Sequence, residues 1–373
     1  MACSAVDKII SSSIFPFSIV GMLIFTGMCF SGCLDGLPEM PTTYESYPTM
    51  ISYTLEYGYE VICTGNGRYD ISYRCDYPEI LSGSVFPTLL YTKKASTATM
   101  VGNQMIWWNI SGLNETTFRL GIHAEVTANS VIIPDLSGEN AYDIAEIHQR
   151  FPELIAQYTK MQANDSVVFI EPDNPSIRQV VRQVMTEIGS NNSLLVAKGF
   201  FEWLKTNTVY IVHPEDEGVR PAAITLQEKT GDCDDLSFLY ISLCRSAGIP
   251  ARFIRGYLLD ATNGGVSATA HAWTEIFVGG NIGSNGWIPV ECACCTPSVT
   301  ADIHQNFGVE KAFHLRLFTD DGSNASLALA LTGISVSYAP GKQITLTSFA
   351  EILAYEVLST KKLVVSGDSR QYE

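Results

Sequence analysis

An α+β fold, with an N-terminal β-sandwich followed by a mixed α/β unit, is what the sequence predicts, and three observations predict it. From Tyr53 to Ile133 the chain is rich in Tyr, Val, Ile and Thr and alternates apolar with polar residues, the period of half-buried strands. From Ile144 onward apolar residues recur at helical spacing, and further on strand-like and helix-like segments interleave. Gly and Pro fall at the junctions, where they break regular structure.

The β region is assigned to 51–135. Its "YTLEYGYEVICTGNGRYDISYRCDYP" alternates about Gly65-Asn66-Gly67, which predicts a hairpin. "MIWWNISG", "TFRLGIHAEV" and "SVIIP" supply further strands. Cys63 and Cys75 flank the turn and are expected either to form a disulfide or to remain as two buried thiols. A helical connector at 136–172 follows, with Pro152 a break between two helices. The α/β unit is assigned to 173–300, opening with "PSIRQVVRQVMTEIG" and "NSLLVAKGFFEWLKTN" as helices. A mixed α/β extension occupies 301–373, with strands in "FHLRLFTDDG" and "LTGISVSYAP" and a helix in "SFAEILAYEVLSTKK".

Composition narrows the function. The 373 residues carry a formal charge of −16 with only 17% charged side chains, which excludes the basic face a nucleic-acid binder needs. Residues 1–33 read as an export segment: Lys8 precedes the apolar run Ile14 to Phe30, then Ser31-Gly32-Cys33. "FSGC" resembles a prokaryotic lipobox, which implies a lipid on Cys33, although Phe30 stands where Leu is usual. An uncleaved anchor helix is the other reading, and both leave the remainder outside the cytoplasm, tethered through 34–50. Sequons at Asn109, Asn114, Asn164, Asn191 and Asn324 are candidate glycosylation sites for such a protein.

The segment "GDCDDLSFLYISLCRSAGIPARFIRGY" carries the chemistry. Leu236, Leu239, Tyr240, Leu243, Cys244 and Ala247 share one helical face, so a helix runs from about Asp232 to Ala247 and stops at Gly248. Cys233 then lies in the first turn, where unpaired N–H groups favour a thiolate, opposed by Asp234 and Asp235. Cys244 is expected to be inert core. A thiol nucleophile needs a base and a group to orient it. His271 alternates with Trp273 and Glu275 in "SATAHAWTEIFVGG", and Glu291 follows in "GWIPVECACC". Glu275 is expected to be a strand-end polar contact, and His123, His148, His213, His304 and His314 to be structural.

These three blocks, "GDCDDLSFLYISLCRSAGIPARFIRGY", "HAWTEIFV" and "GWIPVE", resemble the transglutaminase-like superfamily over roughly Thr225 to Glu291. The resemblance implies a papain-related core in which Cys233 is nucleophile, His271 base and Glu291 orienting acid. The family usually carries Asp where this chain has Glu291. It also implies a thioester acyl-enzyme formed from a protein or peptide substrate, resolved by water in a peptidase or by an amine in a crosslinking transglutaminase. A surface binding module that kept the fold without turnover is a third reading. No soluble cofactor is implied. Cys292, Cys294 and Cys295 stand as structural thiols, a disulfide, or a metal or redox site, although a zinc site would need a second paired motif that is absent.

Overall fold

The computed structural model describes residues 40–160, 168–213, 218–261, 265–293, 296–323 and 333–373. The export segment with Cys33, the sequons at Asn164 and Asn324, and Cys294 and Cys295 lie outside the described residues. Asn109, Asn114 and Asn191 are exposed. Among the described residues no helix is long and apolar enough to cross a membrane.

The chain begins with β1 (Thr42–Thr43), β2 (Tyr47–Gly65), β3 (Tyr69–Asp76), β4 (Gly83–Leu89), β5 (Ala95–Met100), β6 (Asn103–Gly112), β7 (Thr116–Asn129) and β8 (Val131–Ile132). It continues through α1 (Ile144–Arg150), α2 (Pro152–Tyr158), α3 (Pro175–Ile188), α4 (Ser193–Asn207), β9 (Val209–Tyr210), α5 (Ala222–Glu228), β10 (Thr230–Gly231) and α6 (Cys233–Ser246). Then follow β11 (Ala251–Asp260), β12 (Ser267–Phe277), β13 (Trp287–Val290), α7 (Val299–Asn306), β14 (Val309–Glu310) and β15 (His314–Thr319). The chain ends with β16 (Ile334–Tyr338), β17 (Lys342–Lys361), β18 (Leu363–Ser366) and β19 (Ser369–Tyr372).

Two four-stranded sheets, ordered β17-β2-β7-β4 and β16-β3-β6-β5, share one apolar core that includes Ile51, Leu55, Tyr73 and Trp108. The alternating burial along β2 is the predicted period of two. Gly58 and Gly121 face each other across β2 and β7. A Cβ on Gly121, at φ +155°, would stand 1.9 Å from the Tyr57 carbonyl oxygen, so only glycine permits this backbone approach.

Two expectations are corrected, and of the two readings of Cys63 and Cys75 the structure has the buried thiols. The Gly65-Asn66-Gly67 turn exists, but β2 and β3 do not pair as a hairpin, because the chain crosses there from one sheet to the other. Cys63 and Cys75 are both buried free thiols. Cys63 neighbours Tyr69 near the turn, whereas Cys75 lies six residues beyond Tyr69, roughly 20 Å along a strand rising ~3.3 Å per residue. No disulfide spans that separation. The segment read as a helix, 348–362, is instead, as far as Lys361, the far half of β17, paired antiparallel with β2. The tail therefore does not stand apart, because β16 and β17 are outer strands of both sheets.

The third large sheet, β13-β12-β11-β15, is antiparallel and carries the helices on one face. Helix α6 packs there through Phe238 on Phe253, ring centroids 4.8 Å apart, with Ala272 and Ile276 in the same core. Each fully buried leucine on α6 contributes about 2 kcal/mol by removal from water. Leu259, Leu315 and Leu317 belong instead to the core of the first two sheets, which fixes the β strands against this third sheet.

A chain truncated after Gly333 is expected to lose its cooperative thermal transition in circular dichroism, since both sheets lose an outer strand. Full-length melting behaviour would contradict the assignment of the tail. Thiol titration after denaturation is expected to count Cys63 and Cys75 as free under non-reducing conditions.

Candidate active site

Cys233 is mounted on a firmly capped helix end. Asp232 is the N-cap of α6, its carboxylate accepting from the Asp235 N–H at 3.5 Å while Asp235 accepts from the Asp232 N–H at 3.4 Å. This reciprocal box satisfies two donors that a helix start leaves unpaired. Asp235 is also held by Arg220. A Cβ on Gly231 would stand 2.6 Å from the Asp235 Cβ, so the glycine lets β10 run directly into the cap. Cys244 faces the core with no exposure, and burial raises its thiol pKa, as expected of an inert packing residue.

His271 is brought in by β12, opposite Gly256 of β11. The side chain of Glu291, one residue past β13, reaches back to it. The two residues meet as the sequence anticipates, Glu291 Oε2 lying 2.7 Å from His271 Nε2. Glu291 is 2% exposed. Burial alone would raise its pKa, but His271 and His314 outweigh that and hold the carboxyl well below its ordinary range. An ionised carboxylate only accepts, so His271 Nε2 is the donor to it, and Nδ1 is the ring nitrogen left for a second partner.

His314 is the residue that sequence reasoning missed, having been assigned a structural role. Its Nε2 lies 2.9 Å from the same Glu291 Oε2, and its Nδ1 lies 3.1 Å from the Lys311 carbonyl. The Ala293 N–H donates to Glu291 Oε1 at 2.8 Å. One carboxylate thus gathers three N–H donors from β12, β15 and the segment after β13. The side chain of Glu291 thus reaches both imidazoles. The alternation of "FHLRLF" puts His314 and Arg316 on one face, but nothing local says that this face meets His271.

The same sheet face holds a buried ionic chain. Glu275, expected at a strand end, is fully buried and accepts from Arg252 at 2.6 Å and Arg316 at 2.5 Å. Arg316 also holds Glu310, which accepts from Trp273 Nε1 at 2.9 Å. Trp273 in turn packs edge-on against His314, ring centroids 4.8 Å apart.

Cys233 stands apart from the His–Glu pair in its hydrogen bonding. Its thiol donates to Asp234 Oδ1 at 3.6 Å, and no hydrogen bond joins Cys233 to His271 among the described residues. β13 pairs with β12 only as far as Thr274, so the β12 edge is open at Ala272, whose N–H is directed at the sulfur. Burial, then Asp234 and Asp232, push the Cys233 thiol well above its ordinary pKa, with the Ala272 N–H acting in the opposite sense. The expected thiolate is corrected accordingly, because the helix terminus is outweighed by desolvation and two adjacent carboxyls. Asp234 itself is pushed up to about 6, first by burial and then by Asp232.

His271, Glu291 and His314 also have ligand atoms within 4.8 Å of one another, a set that fits a divalent cation. A cation there would displace both imidazole–carboxylate hydrogen bonds and occupy Glu291. At the other candidate metal position, Cys292 is fully buried, lies 3.9 Å from Thr274 Oγ1, and has its thiol pushed up to about 12 by burial. It faces core.

Glu291→Ala is expected to cost about 3 kcal/mol of stability, the scale for stranding buried partners of a charge, read by urea unfolding. Because the folded carboxyl is depressed, its stabilisation is present above the unfolded pKa and lost as pH falls through the acid range. The variant should therefore show a flatter acid limb. Asp234→Asn is expected to lower the Cys233 pKa and speed its alkylation by iodoacetamide, by threefold or more at pH 7.

Residues 180–292 match the model of the transglutaminase-like superfamily, a span that includes Cys233, His271 and Glu291. An uncharacterised protein of Mycobacterium leprae is 35% identical over 83 residues, covering 21% of this chain and 29% of that protein, so the match spans less than a third of its length. A solved Cytophaga hutchinsonii structure, described provisionally as a cysteine protease, is 14% identical with a TM-score of 0.46, covering 89% of this chain and all of that one. The periplasmic domain of TgpA from Pseudomonas aeruginosa is 13% identical with a TM-score of 0.32, covering 63% of this chain and 87% of that domain. The family match identifies residues 180–292 as a transglutaminase-like domain.

Proposed function

We propose that the protein is an extracytoplasmic thiol enzyme that cleaves amide bonds through a Cys233 thioester, a peptidase or amidase built on the transglutaminase-like domain. The observation that carries this reading is the 2.7 Å bond from His271 Nε2 to Glu291, which leaves Nδ1 as the ring nitrogen available to act as base, on the strand beside the Cys233 sulfur. Lipidation of Cys33, or an anchor helix at the same position, would hold the enzyme at the membrane, with the N-terminal β-sandwich beside the catalytic domain.

Cys233 begins as a thiol, so proton transfer accompanies attack. The sulfur swings from Asp234, His271 Nδ1 takes its proton, and the C–S bond forms at the amide carbonyl. The Cys233 N–H, in the first turn of α6 with no intrahelical acceptor, is placed to stabilise the oxyanion. The C–N bond then breaks and the amine departs with the proton from His271. Water, deprotonated by the same nitrogen, attacks the thioester, releasing the acid and restoring the thiol. Glu291 stays ionised throughout and pairs with the imidazolium.

A binding module without turnover is the second reading, favoured by the one observation that the resting thiol bonds Asp234 rather than the imidazole. Profiling against a peptide library separates the two. Turnover is expected to fall at least 1,000-fold in Cys233→Ser and ~100-fold or more in His271→Ala, the scale of general-base catalysis. Release of new amines without incorporation of a labelled alkylamine would identify hydrolysis. Cleavage that survives Cys233→Ser, or none by the wild-type protein, would overturn the proposal.

A further inference from the structure

His271 on β12, His314 on β15 and Glu291 just past β13 bring their ligand atoms within 4.8 Å of one another. Two imidazoles and one carboxylate make a donor set that suits zinc and its neighbours in the first transition row. Magnesium and calcium prefer oxygen. Trp273 holds both rings in place: His271 lies nearly parallel to it with centroids 6.0 Å apart, and His314 meets it edge-on at 4.8 Å.

The hydrogen bonding of His314 sets this cluster apart from an ordinary His–Glu pair. The ring has an acceptor at each nitrogen, the Lys311 carbonyl 3.1 Å from Nδ1 and Glu291 Oε2 2.9 Å from Nε2. A neutral imidazole carries one N–H and cannot serve both. A second positive centre, either an extra proton or a metal ion, is needed between Nε2 and the carboxylate. With an ion there, Nδ1–H donates to Lys311 and the Ala293 N–H holds Glu291 through Oε1. Such outer partners are what orient imidazole and carboxylate ligands on a metal.

The fit requires little movement. Bonds of ~2.1 Å to zinc set neighbouring ligand atoms of a tetrahedral site about 3.4 Å apart. The contacts of 2.7 and 2.9 Å therefore open by roughly half an ångström. Three protein ligands leave one position free for water. His271, at 8% exposure, is the least buried of the three. Among the described residues the β12 edge beside it is open at Ala272, on the Cys233 side.

We propose that His271, Glu291 and His314 bind one zinc-class divalent ion, and that the ion switches off the chemistry of Cys233. A ring bound through Nε2 keeps its single proton on Nδ1. The nitrogen that would accept the Cys233 proton thus becomes a donor. The His271 proton moves from Nε2 to Nδ1, and any proton beyond one per ring leaves to solvent as the ion enters. The inhibition rests on the amide-cleaving reading above, whereas binding of the ion does not.

Full-length protein stripped with a chelator and titrated with zinc sulfate in calorimetry is expected to bind one ion at this site, ~100-fold or more tighter than magnesium. Cys233→Ser should bind zinc as the wild type does. His314→Gln, which keeps an N–H for Glu291, should bind it roughly 30-fold or more weakly. In the wild-type protein zinc should shift the Nε2 ¹⁵N resonances of both rings, a readout that needs no variant to fold. Peptide cleavage should fall about tenfold or more at saturating zinc and return with chelator, the scale of losing a general base. Absence of saturable binding, ring resonances that do not move, or loss of binding in Cys233→Ser would overturn the site. Binding unchanged in His314→Gln would do so too, placing the ion on cysteines elsewhere. Zinc that moves both rings while cleavage continues undiminished would overturn the switch. Wild-type protein that binds zinc through the rings but cleaves no peptide leaves the site and overturns the enzyme.

Discussion

The buried carboxylate of Glu291 is the constraint on which the site depends. Taking a carboxylate out of water costs several kcal/mol, which only well-formed hydrogen bonds offset. Here three N–H groups converge on it, two from imidazoles, and bonds to an ionised acceptor are roughly twice as strong as neutral ones. The arrangement joins β12, β15 and the turn after β13 at one point, and it holds the His271 ring through Nε2. The parallel chain of Arg252, Glu275, Arg316 and Glu310 on the same face keeps these strands in register around Trp273. Breaking one member would strand charges that are nearly free of solvent.

Cys233 is governed by an opposing set of forces. A helix start favours a thiolate, but desolvation and the carboxyls of Asp234 and Asp232 favour a thiol. The nucleophile of the enzyme proposed here therefore rests as a thiol, hydrogen-bonded to Asp234. Asp234, with its carboxyl pushed up to about 6, gains negative charge as pH rises through that value, which raises the thiol further. Because its folded pKa lies above the unfolded one, it favours the folded state at low pH and that contribution is lost as pH rises through about 6.

Much of this was legible in the sequence because it is local. The apolar stripe from Leu236 to Cys244 and the cap at Asp232 fix α6 without reference to anything distant, and alternation gives β12 and β15. What was missed is non-local. Gly65-Asn66-Gly67 marks a turn, but alternation on either side cannot tell strands that pair from strands that face each other across a core. "SFAEILAYEVLSTKK" satisfies helical spacing and alternation at once, and the long partner β2 decides for a strand. His314 looks ordinary until β15 is laid beside β11, and the raised pKa of Cys233 follows from burial that no spacing encodes.

The most direct test is the ¹⁵N spectrum of the His271 ring in the intact protein near pH 7. The expected result is a protonated Nε2 and an unprotonated, pyridine-like Nδ1, a preference that collapses toward a mixture in Glu291→Gln. A ring protonated at Nδ1 in the wild-type protein, or a spectrum indifferent to Glu291→Gln, would contradict the account.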